Sequence, residues 1–76
     1  MSVFVVGKTY EAANRDFCNV TVVSRTPKMA KVSNGSCTWR TRIRVDDKGN
    51  EYIVDNTVPK RYRDELTWKA CWEAIA

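Results

Sequence analysis

Arg40, Arg42 and Arg44 stand at alternate positions of the segment TWRTRIRV. Side chains of a β-strand alternate between its two faces, so this spacing sends all three guanidinium groups to one side. At a rise of about 3.4 Å per residue, successive arginines lie about 6.8 Å apart. That is close to the repeat of backbone phosphates along an extended nucleic-acid strand. Lys31 falls on the neighbouring strand and Tyr52 beside Arg44, which supplies a further cation and an aromatic ring. Phosphate contacts from Lys31, Arg40, Arg42 and Arg44, with base stacking on Tyr52, are how a small barrel holds a single strand, and the expected partner is single- or double-stranded nucleic acid. The competing reading is a solvated face whose arginines pair with Glu51, Asp55 or Glu73.

Trp68 and Trp72 are the second group that could do chemistry. Trp and Arg are enriched at binding hot spots. Exposed together, the two rings would mark a surface for a host protein or for a second copy of the chain. Buried, they fill a core that a small domain needs. A further basic cluster, Lys60, Arg61 and Arg63 around Tyr62, either extends the phosphate-binding surface or is a solvated turn offset by Asp64 and Glu65.

Other chemistries lack their residues. The chain has no histidine, which removes the commonest general base and metal ligand. Gly7, Gly35 and Gly49 are isolated, so no glycine-rich phosphate loop exists. Cys18, Cys37 and Cys71 form no CxxC pair and are odd in number. They are read as small core hydrophobes, with a Cys18–Cys37 disulfide as the alternative. The expectation is a protein that is not an enzyme and takes no cofactor or metal.

With 76 residues, the sequence reads as a single small β domain over 1–76. Its 13 Lys/Arg against 9 Asp/Glu give a net charge of +4, which permits an acidic partner without demanding one. The longest apolar run, Val3–Val6, is far below the roughly 20 residues that span a bilayer. No leader pattern opens the chain. The expected location is therefore the cytoplasm, as monomer or homodimer, with no membrane partner.

The elements that must position these side chains follow from local pattern. Val3–Val6, broken at Gly7 and continued by Lys8–Glu11, reads as a kinked strand. Ala12–Phe17 reads as a loop. Asn19–Thr26 is rich in β-branched residues and reads as a strand ending at Pro27. Lys28–Ser33 is the next strand. Asn34-Gly35 is then the expected two-residue hairpin turn. That register sets Val32 opposite Cys37 and Ala30 opposite Trp39. It places Ala30, Val32, Cys37, Trp39, Ile43 and Val45 inside, with Lys31 and the arginines outside.

Asp46-Asp47-Lys48-Gly49 suits a type I turn with a glycine bulge, which puts Ile53 inside with Ile43 and Tyr52 outside beside Arg44. A tighter Lys48-Gly49 loop would instead turn Tyr52 and Val54 inward and face Asp55 to Arg42. Pro59 opens a helical turn running to Glu65. Leu66, Trp68, Ala70, Trp72 and Ala74 alternate with polar residues and read as a closing strand, against a helical reading with Trp68, Cys71, Trp72 and Ile75 on one side.

The predicted fold is mainly β. It is a small antiparallel meander or SH3-like barrel of five or six strands, with one short helical turn before the C-terminal strand. The alternative is α+β with a C-terminal helix. VGKTY near the start, VVSRTPK in the middle and WKACWEA near the end resemble a group of short uncharacterised proteins of gut Firmicutes and their phages and mobile elements. The resemblance implies a bacterial, intracellular protein of phage or mobile-element origin and transfers no functional residues. RIRVDDKGNEYIVD is also similar to a hairpin in a small phage inhibitor of a CRISPR nuclease. That inhibitor is acidic and imitates DNA, whereas this chain is basic, so the likeness is one of hairpin chemistry.

Overall fold

Runs of β-branched and alternating residues make the chain a series of short strands, each with one face to bury. In the computed structural model, which describes residues 2–14, 16–55, 59, 61 and 66–74, they are β1 (Thr9–Ala12), β2 (Val20–Arg25), β3 (Met29–Ser33), β4 (Thr38–Arg42), β5 (Arg44–Val45), β6 (Glu51–Val54) and β7 (Thr67–Glu73). They form one antiparallel sheet in the order β4-β3-β2-β1-β7-β6-β5. The sheet begins with β4 and ends with β5, which are joined in the chain by Ile43 alone. The sheet therefore curls until its two ends are covalent neighbours, a nearly closed barrel. Across the remaining gap, the Thr41 hydroxyl donates to the Val54 carbonyl at 3.3 Å. Closure of this kind removes the exposed edges on which small sheets aggregate.

This closure explains why seven strands replace the expected five or six. The segment read as one strand through Val45 must bend at Ile43 to belong to both ends of the sheet. Ile43 points inward there, and its amide donates to the Lys28 carbonyl at 2.8 Å.

The first turn differs from expectation by one residue. Asn34 pairs with Cys37 through its amide at 3.1 Å, so Gly35-Ser36 forms the loop. The Asn34 side chain accepts from the amides of Ser36 and Cys37 at 2.9 and 2.8 Å. Positive φ falls on Gly35 alone (93°), which relieves Asn34 of the left-handed backbone that an Asn-Gly loop would impose. Val32 consequently faces Trp39, and Ala30 faces Thr41. Each partner moves by two positions, so the faces stay sorted. Ala30, Val32 and Ile43 are buried and Trp39 packs against the core, as expected. Cys37 and Val45 are not. Cys37 closes the turn and Val45 ends a two-residue edge strand, 61% exposed.

The second turn takes the bulged form. Gly49 (φ 82°) donates to the Asp46 carbonyl at 3.1 Å, and Asp46 pairs with Asn50 at 3.0 Å. The Asp46 carboxylate accepts from the Lys48 and Asn50 amides, both at 2.9 Å. Arg44 then faces Tyr52, with Ile53 buried.

Two further corrections concern the ends. Val3–Val6 is not a strand. Its amides go to side chains instead, Phe4 to the Glu51 carboxylate and Val5 to the Tyr10 hydroxyl, both at 2.8 Å. The segment crosses the barrel end with Phe4 inserted edge-on against Tyr10, centroids 4.9 Å apart. At the other end, the period-two pattern decides for strand: Trp68 and Ala70 of β7 are buried and the C-terminal helix is absent. The helical turn expected before it lies outside the described residues, apart from Pro59 and Arg61. The core comprises Phe4, Tyr10, Ala12, Val20, Val22, Ala30, Val32, Ile43, Ile53, Trp68 and Ala70. Burying a side chain as large as its valines, isoleucines or phenylalanine contributes about 1.5–3 kcal/mol each.

Candidate nucleic-acid interface

The outer face of β3 to β7 collects the predicted cations. Lys31 lies directly opposite Arg40, and Arg42 is opposite Met29. Beyond the bend, Arg44 is opposite Tyr52, which is opposite Lys69 on β7. Lys31, Arg40, Arg42 and Arg44 are all exposed, while Tyr52 and Lys69 are half-buried. The three arginines remain on one side because the buried Thr41 and Ile43 separate them.

Like charges directly opposite each other weaken a sheet. Among the described residues, no carboxylate forms an ion pair with Lys31, Arg40, Arg42 or Arg44. The expected acidic partners are engaged elsewhere. Glu73 pairs with Lys8 at 2.8 Å. Glu51 points inward, 8% exposed, and binds Arg25. Asp55 is half-buried beyond β6, on the wall of an apolar groove.

Arg25 was not anticipated. β2 bulges between Val22, opposite Val32, and Ser24, opposite Lys31. The extra residue reverses the alternation and turns Arg25 inward, across from Ala30. Its guanidinium binds the Glu51 carboxylate at 2.6 and 2.9 Å and the Phe4 carbonyl at 2.8 Å. The hydrogen bond from Arg25 holds the Glu51 carboxyl below its ordinary range against the opposing effect of burial, helped by the Phe4 amide. The same bond raises Arg25 further. The pair clamps the N-terminal segment over the barrel end. Glu51 was legible: two residues before inward Ile53, it must point inward too. Beside the bulge lies a groove of about 310 Å³ walled in part by Arg25, Met29, Lys31 and Arg40.

Lys69 is held between the Asp46 carboxylate, 3.7 Å away, and the Trp72 ring, 5.2 Å from its centroid. Asp46 itself is held below its ordinary range, first by the Asn50 amide and then by the Lys48 amide and the Lys69 ammonium.

The tryptophan pair does not form a joint surface. Trp68 is 3% exposed and its indole N–H donates to the Cys18 carbonyl at 3.1 Å, because its position on β7 faces inward against Ala12 and Ile53. Trp72 is half-buried in the stretch where β7 bulges against β1. The basic cluster at Lys60, Tyr62 and Arg63 lies outside the described residues.

The cysteines are also corrected. Cys18, Cys37 and Cys71 are free and exposed rather than core residues, and no Cys18–Cys37 disulfide forms. They occupy a loop, a turn and an outward strand position. Cys18 and Cys37 border the apolar groove of about 370 Å³ formed by Phe17, Trp39, Leu66 and Trp68. Among the described residues, no cluster of three or more Cys, Asp or Glu side chains is placed to hold a metal ion. No helix among them is long and apolar enough to cross a membrane. Comparison with protein-family models, with curated proteins and with solved structures returns no match for the chain.

Proposed function

We propose that the protein is a non-enzymatic nucleic-acid-binding domain whose outer sheet face contacts phosphates. One observation carries the reading: Lys31, Arg40, Arg42 and Arg44 share an exposed face with no acidic partner among the described residues. Clustered, unpaired cations disfavour the fold slightly and favour a polyanion strongly. Guanidinium groups suit phosphate because their planar fork donates two parallel hydrogen bonds. The reading includes the bacterial cytoplasm as the site of action, which free, exposed thiols fit.

The test is salt dependence, read by fluorescence anisotropy of labelled oligonucleotides. Contacts from these cations predict a slope of log affinity against log salt of about −2.8 for a single strand or about −3.6 for a duplex. Affinity then falls roughly 50- to 150-fold between about 50 and 200 mM salt. Combining Arg40→Gln, Arg42→Gln and Arg44→Gln flattens the slope by about 2 to 3. Absence of binding at low salt refutes the proposal, as does a slope the triple variant leaves unchanged.

A second reading is a phage or mobile-element module that engages a host protein or a second copy. It loses Trp68 but gains exposed Val3, Val5 and Val6 on the N-terminal crossing segment, with Val23 exposed on β2. Sedimentation of the pure protein separates the homodimer form of this reading from a monomer.

A further inference from the structure

The cation ladder accounts for phosphates and leaves the aromatic residues beside it unexplained. Tyr52 sits between Arg44 and Lys69 in one cross-strand row, half-buried and flanked by a cation on each side. Lys69 also reaches over the indole of Trp72, 5.2 Å from its centroid. Trp72 is brought there by the irregular pairing of β7. Trp68 faces Ala12 while Glu73 faces Tyr10, so extra β7 residues are accommodated between those points. Lys69 is therefore the cross-strand neighbour of Tyr52 and reaches over Trp72, with the Asp46 carboxylate 3.7 Å from its ammonium, next to the end of the arginine ladder.

Neither ring is consumed by the core. The buried cluster contains Phe4, Tyr10 and Trp68 but neither Tyr52 nor Trp72. An aromatic flanked by cations at a sheet surface suits a base attached to a phosphate: the ring takes the π-face and the ammonium or guanidinium takes the charge. A duplex hides its base faces within its own stack and offers phosphates and groove edges instead. Only an unpaired strand has free faces to place on such rings.

We propose that Tyr52 and Trp72, both neighbours of Lys69, form a base-stacking platform that makes the interface selective for single-stranded DNA or RNA. This rests on the reading of the arginine face as a phosphate-binding surface. The strand runs along the ladder with its phosphates on Arg40, Arg42 and Arg44, and bases beyond Arg44 turn onto Tyr52 and then Trp72. Stacking is tolerant of sequence, because every base has a π-face.

The test compares a short oligothymidylate and oligouridylate with a mixed-sequence duplex of the same length, at matched salt. Wild-type protein is measured beside Tyr52→Leu, Trp72→Leu, Tyr52→Phe and Trp72→Phe. The single strands are expected to bind at least about tenfold tighter than the duplex. Each Leu variant loses roughly 5- to 100-fold of single-strand affinity. Duplex affinity stays unchanged, and the Phe variants recover most of the loss. Single strands quench tryptophan emission in the wild type, and Trp72→Phe removes most of that quenching. The quenching arm stands even if a Leu variant fails to fold. Trp68 is buried, and Trp39 turns to the opposite face of its strand from Arg40 and lines the apolar groove, so neither stacks on a base held at the ladder. Equal affinity for duplex and single strand, with the Leu variants unchanged and no quenching, overturns the platform while the phosphate reading survives. Absence of binding to any oligonucleotide at low salt removes both. Single-strand preference that persists at full strength in folded Leu variants also overturns the platform.

Discussion

Glu51→Gln tests the clamp that fixes the N-terminal segment to the barrel. The Glu51 carboxylate accepts three hydrogen bonds, from the Phe4 amide at 2.8 Å and from Arg25 at 2.6 and 2.9 Å. Glutamine keeps the shape but leaves the guanidinium unneutralised, with an amide N–H₂ pressed against it. Removing one partner of a buried ion pair costs about 3–5 kcal/mol. Here the Arg25 and Glu51 side chains are 20% and 11% exposed, so water screens part of the loss. We therefore expect about 2–3 kcal/mol.

A chain of 76 residues has a total stability of roughly 4–11 kcal/mol, so the change removes a large share of it. Urea unfolding followed by tryptophan fluorescence should show the midpoint falling by about 2–3 M, at a slope of about 1 kcal/mol per M. The Phe4 amide should also exchange with solvent faster, as its acceptor weakens. Replacing both partners, Arg25→Met with Glu51→Leu, should recover part of the loss and give a coupling of at least about 1 kcal/mol in a double-mutant cycle. A cost below about 0.5 kcal/mol, or strict additivity, would refute the clamp.

The same carboxylate contributes to stability against acid. Its folded value lies below the ordinary one, so its contribution is complete above about pH 4.3 and disappears as pH falls through the lowered value; Glu51→Gln should make acid unfolding in that window shallower. Gly35→Ala should cost about 1 kcal/mol by thermal melt, wholly from backbone strain, since φ is +93° and no atom lies within 4 Å of the added carbon. Asp46→Ala removes the acceptor of the Lys48 and Asn50 amides and frees Lys69, so the melting midpoint should fall by a few degrees, with Asp46→Asn closer to wild type. Native protein should react with a thiol reagent rapidly at Cys18, Cys37 and Cys71; a requirement for denaturant at any of them would contradict their exposure.

How much was legible depends on the range of the interaction. Tyr52 beside Arg44 followed from the Asp46 and Gly49 turn chemistry, and the β7 strand from the alternation of Trp68, Ala70 and Trp72. Alternation places Cys37 and Val45 on the core side, but Cys37 closes the turn and Val45 ends β5, and both are exposed there. Glu51, a candidate partner of the arginines in the competing reading, shares its parity with Ile53 and points inward with it.

Local alternation by itself determined which side of the ribbon carries Arg40, Arg42 and Arg44, because the two-residue period belongs to the strand backbone and survives a two-position slip of its partner. Only the tertiary structure decided where that period is interrupted. The bend at Ile43, the β2 bulge that turns Arg25 inward and the irregular β7 pairing that carries Trp72 outward all come from closing the sheet on itself. Closure is a condition on strands distant in sequence, as with Arg25 and Glu51, 26 positions apart, and no local window of residues contains it.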